Sequence, residues 1–269
     1  MDVMQEYTRW LTMFADDETL VKELESIRDY PKEIEDRFYT ELSFGTAGMR
    51  GVLGYGLNRM NIYNIRRATA GFAEYLKQSP EDVKRGVVIG YDSRIMSDVF
   101  ARETALVLAA RGIKTFLFDA LRPVPVVSYA IRHLNCAAGV VITASHNPPQ
   151  YNGYKVYGED GAQLSPDAAA GVTASIQTIT YQDAQPMDEG EAIRQGLLQI
   201  IGDKEVDDDY IAMVKALSVT PELLQAEGGR LNIVYTPLHG SGNVPVRRVL
   251  KEVGITQVTV VKEQEAPDG

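Results

Sequence analysis

The chain has 269 residues, of which 45% are hydrophobic and 24% charged, a composition that excludes a disordered or low-complexity protein and predicts an ordinary globular one. Its length exceeds what one hydrophobic core comfortably serves, so one complete domain and part or all of a second are expected. A net charge of −10 leaves no long basic stripe and argues against a nucleic-acid partner.

Nowhere do about 18 apolar residues run together, so no membrane span and no membrane partner are expected. The opening MDVMQEYTRWLTMFADDETL is acidic and lacks a basic region followed by an apolar one, the pattern of a secretory signal. The single cysteine, Cys136, can form no internal disulfide. Together these features predict a reducing, cytoplasmic setting.

In chain order, residues up to about Tyr39 are polar and helix-prone, with Pro31 breaking the run before a second helical stretch from Lys32 to Phe38. ELSFGTAGMRGVLGYGLNRMN follows, and its five closely spaced glycines predict a shaped loop. Ile65, Ala68, Phe72, Tyr75 and Leu76 recur at helical spacing between Asn64 and Gln78. Gly86 to Gly90 is a short apolar strand, and Ser97 is expected to cap a helix that runs to Arg111 and stops at Gly112. Ile113 to Phe118 reads as a strand, Val124 to Leu134 as a helix, and Ala137 to Thr143 as a third buried strand. This alternation predicts an α/β layer with mainly parallel strands.

Tyr154 to Tyr157 and Ala162 to Leu164 flank GEDG, a hairpin expected to add an antiparallel edge. Ser165-Pro166 opens a helix, with serine as N-cap and proline as first helical residue. Residues 181–206 lose the rhythm and gain charge, which puts a domain boundary near Lys204. Asp207 to Leu217, Leu231 to Thr236, Val244 to Val253 and Thr256 to Val261 then read as helix, strand, helix and strand. The expected fold is a three-layer α/β/α domain with a mostly parallel mixed sheet over 1–203, followed over 204–269 by the start of a second, similar α/β domain. One βαβ unit leaves a sheet face and two edges unpaired, so the chain is expected to be part of a longer polypeptide.

The chemistry gathers at TASHNPPQYNGY, residues 143–154. Ser145 falls just past the carboxyl end of an apolar strand, where open α/β sheets bind ligands. Pro148 and Pro149 fix the path of the loop, and Asn152-Gly153 reads as a tight reversal, so the hydroxyl is expected to be held outward on a stiff support. Lys155 follows, able to neutralise a phosphate or to move a proton. No G-x-S-x-G elbow surrounds Ser145, and a histidine next to it in sequence is badly placed to be its base in a triad, which disfavours a serine hydrolase.

These residues carry a resemblance to the α-D-phosphohexomutase superfamily, the phosphoglucomutases and phosphomannomutases. TASHNPPQYNGYK at 143–155 is similar to the family's phosphoserine loop and GTAGMRG at 45–51 to its first phosphate-site loop. GYDSR at 90–94 resembles its strand-to-helix junction and YTPLHGSG at 235–242 the opening of its second domain. The resemblance implies reversible transfer of phosphate between the 1- and 6-positions of a hexose, glucose foremost. Ser145 would carry the phosphoryl group, and a 1,6-bisphosphate would be both intermediate and activator. A phosphoserine brings about −1.5 to −2 charge near neutral pH, so the loop needs cations. Arg50 is assigned to phosphate, Lys155 to general acid/base work, and His146 to positioning or proton relay.

Net acidity does not oppose an anionic substrate. Diffuse charges are screened beyond about 8 Å, whereas one cation about 4 Å from a phosphate is worth about 4 kcal/mol.

Asp92 and Arg94 either brace their turn or join the site; His239 reads as loop-structuring and His133 as a helix residue. The resemblance also implies Mg2+, bound by the phosphate on Ser145 and by aspartates of a D-x-D-x-D-R loop. That loop is missing here; Asp207, Asp208 and Asp209 are contiguous and read as a helix start. The 269 residues alone are therefore expected to be inactive. Phosphopentomutase or phosphomannomutase activity, or a non-catalytic phosphosugar-binding module, are the alternatives. The expected partner is a small sugar phosphate, and the oligomeric state is open.

Overall fold

A computed structural model describes residues 2–46 and 48–269. Three helices open the chain: α1 (Val3–Met13), α2 (Glu18–Ser26) and α3 (Pro31–Phe38). Asp2 and Asp17 cap the first two by accepting from Gln5 N and Leu20 N. The predicted single stretch before Pro31 is thus two helices, divided where Asp17 restarts the backbone. Their apolar faces close on an aromatic cluster in which Trp10 meets Phe14, Phe38, Tyr63 and Tyr181 edge-on at 5.1 to 6.1 Å.

The glycine-rich segment is not loop throughout, because β1 (Met49–Val52) emerges from it. Next come α4 (Ile62–Leu76), α5 (Pro80–Arg85), β2 (Val87–Tyr91), α6 (Ser97–Ala110), β3 (Thr115–Phe118), α7 (Val124–His133), β4 (Ala138–Ile142), β5 (Tyr151–Gly158), α8 (Pro166–Gln177), α9 (Glu189–Arg194) and β6 (Leu198–Ile201). Ser165 caps α8 as its sequence predicts, accepting from Ala168 N. Ser97 does not cap α6. Met96 holds the cap position with φ +69, and the Ser97 hydroxyl instead donates to Asp92 Oδ1 at 2.7 Å.

The strands form one sheet in the order β1-β5-β4-β2-β3-β6. β4, β2, β3 and β6 are parallel, whereas β5 runs antiparallel to both its neighbours. The predicted hairpin exists at its tip, where Gly158 N donates to Ala162 O at 2.8 Å, but β5 is an interior strand and β1 is the edge. Asn152-Gly153 is not a reversal either: both residues are buried in β5 and pair with Gly51 and Arg50. The chain reverses earlier, over 146–150. β6 lies inside the segment expected to lack regular structure.

The buried strands sort their side chains to two faces. Val87, Ile89, Val140 and Ile142 join Phe72, Phe100 and Leu108 on one side, where α4, α6 and α8 pack. Val88, Phe116, Phe118 and Val141 join Val127 and Ile131 of α7 on the other. The result is a three-layer α/β/α arrangement with the chemistry-bearing loops at one rim. Cys136 is buried beside this second face, and burial pushes its thiol up to about 12.

Beyond β6, a π-helical turn at Asp203–Asp207 leads into α10 (Asp208–Ala216), α11 (Pro221–Glu227), β7 (Asn232–Tyr235), α12 (Asn243–Glu252) and β8 (Gln257–Val260). β7 and β8 form a separate parallel pair. The three aspartates at the start of α10 face three partners. Asp207 accepts both Arg122 Nε and Nη2, Asp208 accepts Arg248, and Asp209 lies 3.4 Å from His133 Nε2. Among the described residues, no helix is long and apolar enough to cross a membrane.

Candidate phosphoryl-transfer site

β4 ends at Ile142 and the loop begins with two short ties. Thr143 N donates to Gly153 O at 3.0 Å, and Ser145 N donates to Thr143 Oγ1 at 3.0 Å. Ser145 itself takes φ +58, a left-handed backbone that costs a non-glycine residue about 1–2 kcal/mol. Such strain persists only where surrounding bonds over-determine it. Asn147 N donates to Ala144 O, Tyr151 N to Pro148 O, and the two prolines fix φ between them. The Ser145 side chain is left exposed at the sheet rim, as its sequence context predicts.

The turn also brings His146 back onto the serine: Ser145 Oγ and His146 Nδ1 lie 3.1 Å apart. Adjacency in sequence therefore does not keep the imidazole from the hydroxyl, contrary to expectation, because the left-handed backbone folds the two side chains together. Among the described residues no acid pairs with His146, so the third member of a hydrolase triad is lacking.

Arg50, on edge strand β1, is exposed and donates through Nη1 to Asn147 Oδ1 at 2.9 Å, which ties it to the loop. Lys155 sits opposite Val141 on β5 and is half-buried. Burial pulls its ammonium below the usual lysine range, the Arg50 guanidinium adds to that, and Asp92 partly opposes it. The structure thus joins Ser145, His146 and Arg50 in one bonded group and sets Lys155 within the electrostatic reach of Arg50. His239 and His133 take the ordinary roles expected. The His239 carbonyl accepts from Ser93 Oγ, and His133 stacks on Tyr129.

Arg94 is the residue that sequence left undecided. Its guanidinium lies under the loop and donates to the carbonyls of Ser145, Asn147, Pro148 and Tyr151. Asn152 escapes notice as well: its Nδ2 donates to Ile95 O and Ser97 Oγ, bracing β5 against the start of α6. The only signal for either was Asp92-x-Arg94 at a strand end.

The surroundings of Ser145 are cationic and hydrogen-bond donating, which suits a phosphoryl group. They do not fit Mg2+ without further acids. Asp92 is already engaged by Arg94 N and Ser97 Oγ, and among the described residues no three metal-binding side chains cluster.

Residues 41–183 match the family model for phosphoglucomutase/phosphomannomutase alpha/beta/alpha domain I, and 208–269 match the model for domain II. A phosphoglucomutase of Staphylococcus epidermidis is 39% identical over 252 residues, 94% of this chain and 44% of that protein. A probable phosphoribomutase of Schizosaccharomyces pombe is 37% identical over 251 residues, 89% of this chain and 41% of that protein. The chain spans less than half the length of these curated relatives. Among solved structures, a putative phosphomannomutase from Thermus thermophilus superposes with a TM-score of 0.68 at 27% identity, covering 85% of this chain and 47% of that one.

Proposed function

The chain belongs to the phosphoglucomutase/phosphomannomutase family, and from that premise we propose that it supplies the phosphoserine site of a mutase acting between the 1- and 6-positions of a hexose phosphate, glucose first. The observation that carries this reading is the exposed Ser145 hydroxyl, held on a strained and fully tied loop beside His146 and Arg50. We place the phosphoserine domain at 1–203 and the second domain from 204 onward.

In the forward half-reaction the bond between Ser145 Oγ and phosphorus breaks, and a sugar hydroxyl oxygen bonds to that phosphorus. The proton of the hydroxyl passes to neutral Lys155 Nζ, whose lowered pKa makes the neutral form accessible nearer to physiological pH. The sugar then carries two phosphates. In the reverse half-reaction Ser145 Oγ takes the other one, and the proton returns to the oxygen left behind. His146 holds Oγ in line, and Arg50 faces its remaining N–H groups toward phosphate oxygens. Each transfer demands that an oxyanion charge be met as it forms, which is what preplaced cations contribute.

The bisphosphate intermediate and Mg2+ enter this proposal from the family alone. The described residues supply no magnesium site, so its aspartate ligands are assigned outside this chain and no step above runs through the metal. Activity is correspondingly assigned to the full-length protein. The resemblance to a probable phosphoribomutase favours testing a pentose as well. Comparing rates on glucose 1-phosphate and ribose 1-phosphate decides between the two, and a non-catalytic binding module would turn over neither.

The deciding experiment is Ser145→Ala in the full-length protein. Interconversion of glucose 1- and 6-phosphates is expected to fall by at least about 10³-fold, and the phosphoryl group found by peptide mapping on the wild-type loop should vanish. Turnover at the wild-type rate would refute the assignment.

A further inference from the structure

We propose that Arg94 is the positioning residue of the Ser145 loop: it sets the orientation of the reacting serine through the backbone and never contacts the phosphoryl group. This rests on the reading of Ser145 as the phosphoryl carrier. A guanidinium offers five N–H donors in a fixed fork. At Arg94, Nη1 donates to Pro148 O at 3.1 Å and to Tyr151 O at 3.0 Å. Nη2 donates to Ser145 O at 2.8 Å and to Asn147 O at 2.6 Å. These four bonds use all four hydrogens on the two terminal nitrogens. Nε, carrying the fifth, lies 3.6 Å from Asp92 Oδ2. No donor is left for a phosphate oxygen. Arg50, by contrast, is exposed and joins the loop through Asn147 Oδ1.

The four carbonyls span both limbs of the turn, so one rigid plane fixes the loop where it leaves β4 and where it enters β5. The plane is itself anchored. Asp92 Oδ1 accepts from Arg94 N at 3.1 Å and from Ser97 Oγ at 2.7 Å, and Ser97 Oγ accepts from Asn152 Nδ2 at 3.0 Å. Capturing the Ser145 carbonyl is what makes φ +58 tenable. It also fixes the next peptide, whose N–H at His146 must point opposite to that carbonyl, away from Arg94. The direction of Oγ and the facing of His146 are therefore set by a side chain about fifty residues earlier in the chain.

The test compares Arg94→Ala, Arg94→Lys and Ser145→Ala in the full-length enzyme. Arg94→Ala is expected to lower kcat by about 100-fold, the scale of a misplaced reacting group, while KM for the sugar phosphate stays within about threefold. Added guanidinium ion should restore part of kcat, which a purely structural role would not allow. Amide exchange should quicken at Ser145, Asn147 and Tyr151 but not at β2 or β4. Arg94→Lys keeps the charge and loses the fork, so kcat should still fall, by about 10-fold.

If Arg94→Ala does not fold, Arg94→Lys decides: wild-type kcat with unchanged loop exchange overturns the proposal, and a selective loss of kcat supports it. A loss that appears as raised KM, or as faster exchange throughout the sheet without guanidinium rescue, also overturns it. Full activity in Ser145→Ala would instead sink the functional reading on which the proposal rests.

Discussion

The two sheets of this molecule are made of the same α/β units yet treat their apolar residues in opposite ways. Val87, Val88 and Ile89 of β2 are fully inaccessible, because helices cover both faces of the first sheet. β7 and β8 alternate between exposed and partly covered positions, Val234 is 74% exposed, and neither α11 nor α12 buries a residue completely. Apolar character in a strand records what it is able to bury; the number of layers stacked on it decides what it does bury. The first sheet can therefore act as a rigid base for a strained loop, whereas the second has the contact density of a more easily opened region.

The contrast is broken most directly by paired truncations. Phe100→Ala, in the core between α6 and the first sheet, should cost about 3–5 kcal/mol, and Val234→Ala should stay within about 0.5 kcal/mol. Urea unfolding measures both, with Trp10, the only tryptophan, as a fluorescent reporter of the first region. Equal costs would show that the second sheet is buried in solution.

A smaller effect sharpens the comparison by joining its two halves. Arg122 follows β3, and its fork onto Asp207 ties the first sheet to the turn that leads into the second. Both side chains are largely covered, so Arg122→Ala should cost about 3 kcal/mol by leaving Asp207 without its partner. Hydrogen exchange in β7 should then quicken more than exchange in β2. Uniform quickening would mean that the two regions open as one.

The smallest effect concerns the site. Lys155 has a folded-state pKa below its unfolded value, so its charged form is disfavoured by folding and it weakens the protein while protonated. The unfolded chain binds the extra proton between the two pKa values, so this penalty is complete below the folded pKa and is relieved as pH rises toward the unfolded lysine value. Lys155→Met should accordingly be slightly more stable than wild type at neutral pH, with the gap closing in alkaline buffer. A gap that widens with pH would show the opposite shift. The same substitution should slow phosphoryl transfer, which separates what the lysine does for function from what it does to stability.

Much of the first region was legible because its signals are local. Helical spacing exposed α4, continuous apolar runs exposed β2, β3 and β4, and Ser165-Pro166 announced α8. The elements that escaped depend on partners distant in sequence. β6 is four residues in a charged stretch and becomes a strand only by pairing with β3. Asn152-Gly153 has the chemistry of a turn, but β1, β4 and the Ser97 hydroxyl hold it extended. Of the site, Ser145, His146, Lys155 and Arg50 were visible as residue types in suggestive places. Arg94 was not, because its partners are backbone carbonyls 51 to 57 positions away and any residue can present a carbonyl.

The placement of β5 between two partners bears on which length changes the protein can accept. Lys155 faces the rim only while Val141 and Gly153 keep their present pairings. One extra residue between Tyr151 and Gly158 would invert the strand downstream, drive the ammonium toward the opposite helical layer and bring a neighbouring apolar side chain to the rim in its place. The same insertion after Glu159, at the exposed hairpin tip, would lengthen a turn and leave that pairing alone. Across descendants of this sequence, gaps and insertions should therefore collect at the tip and stop at the strand.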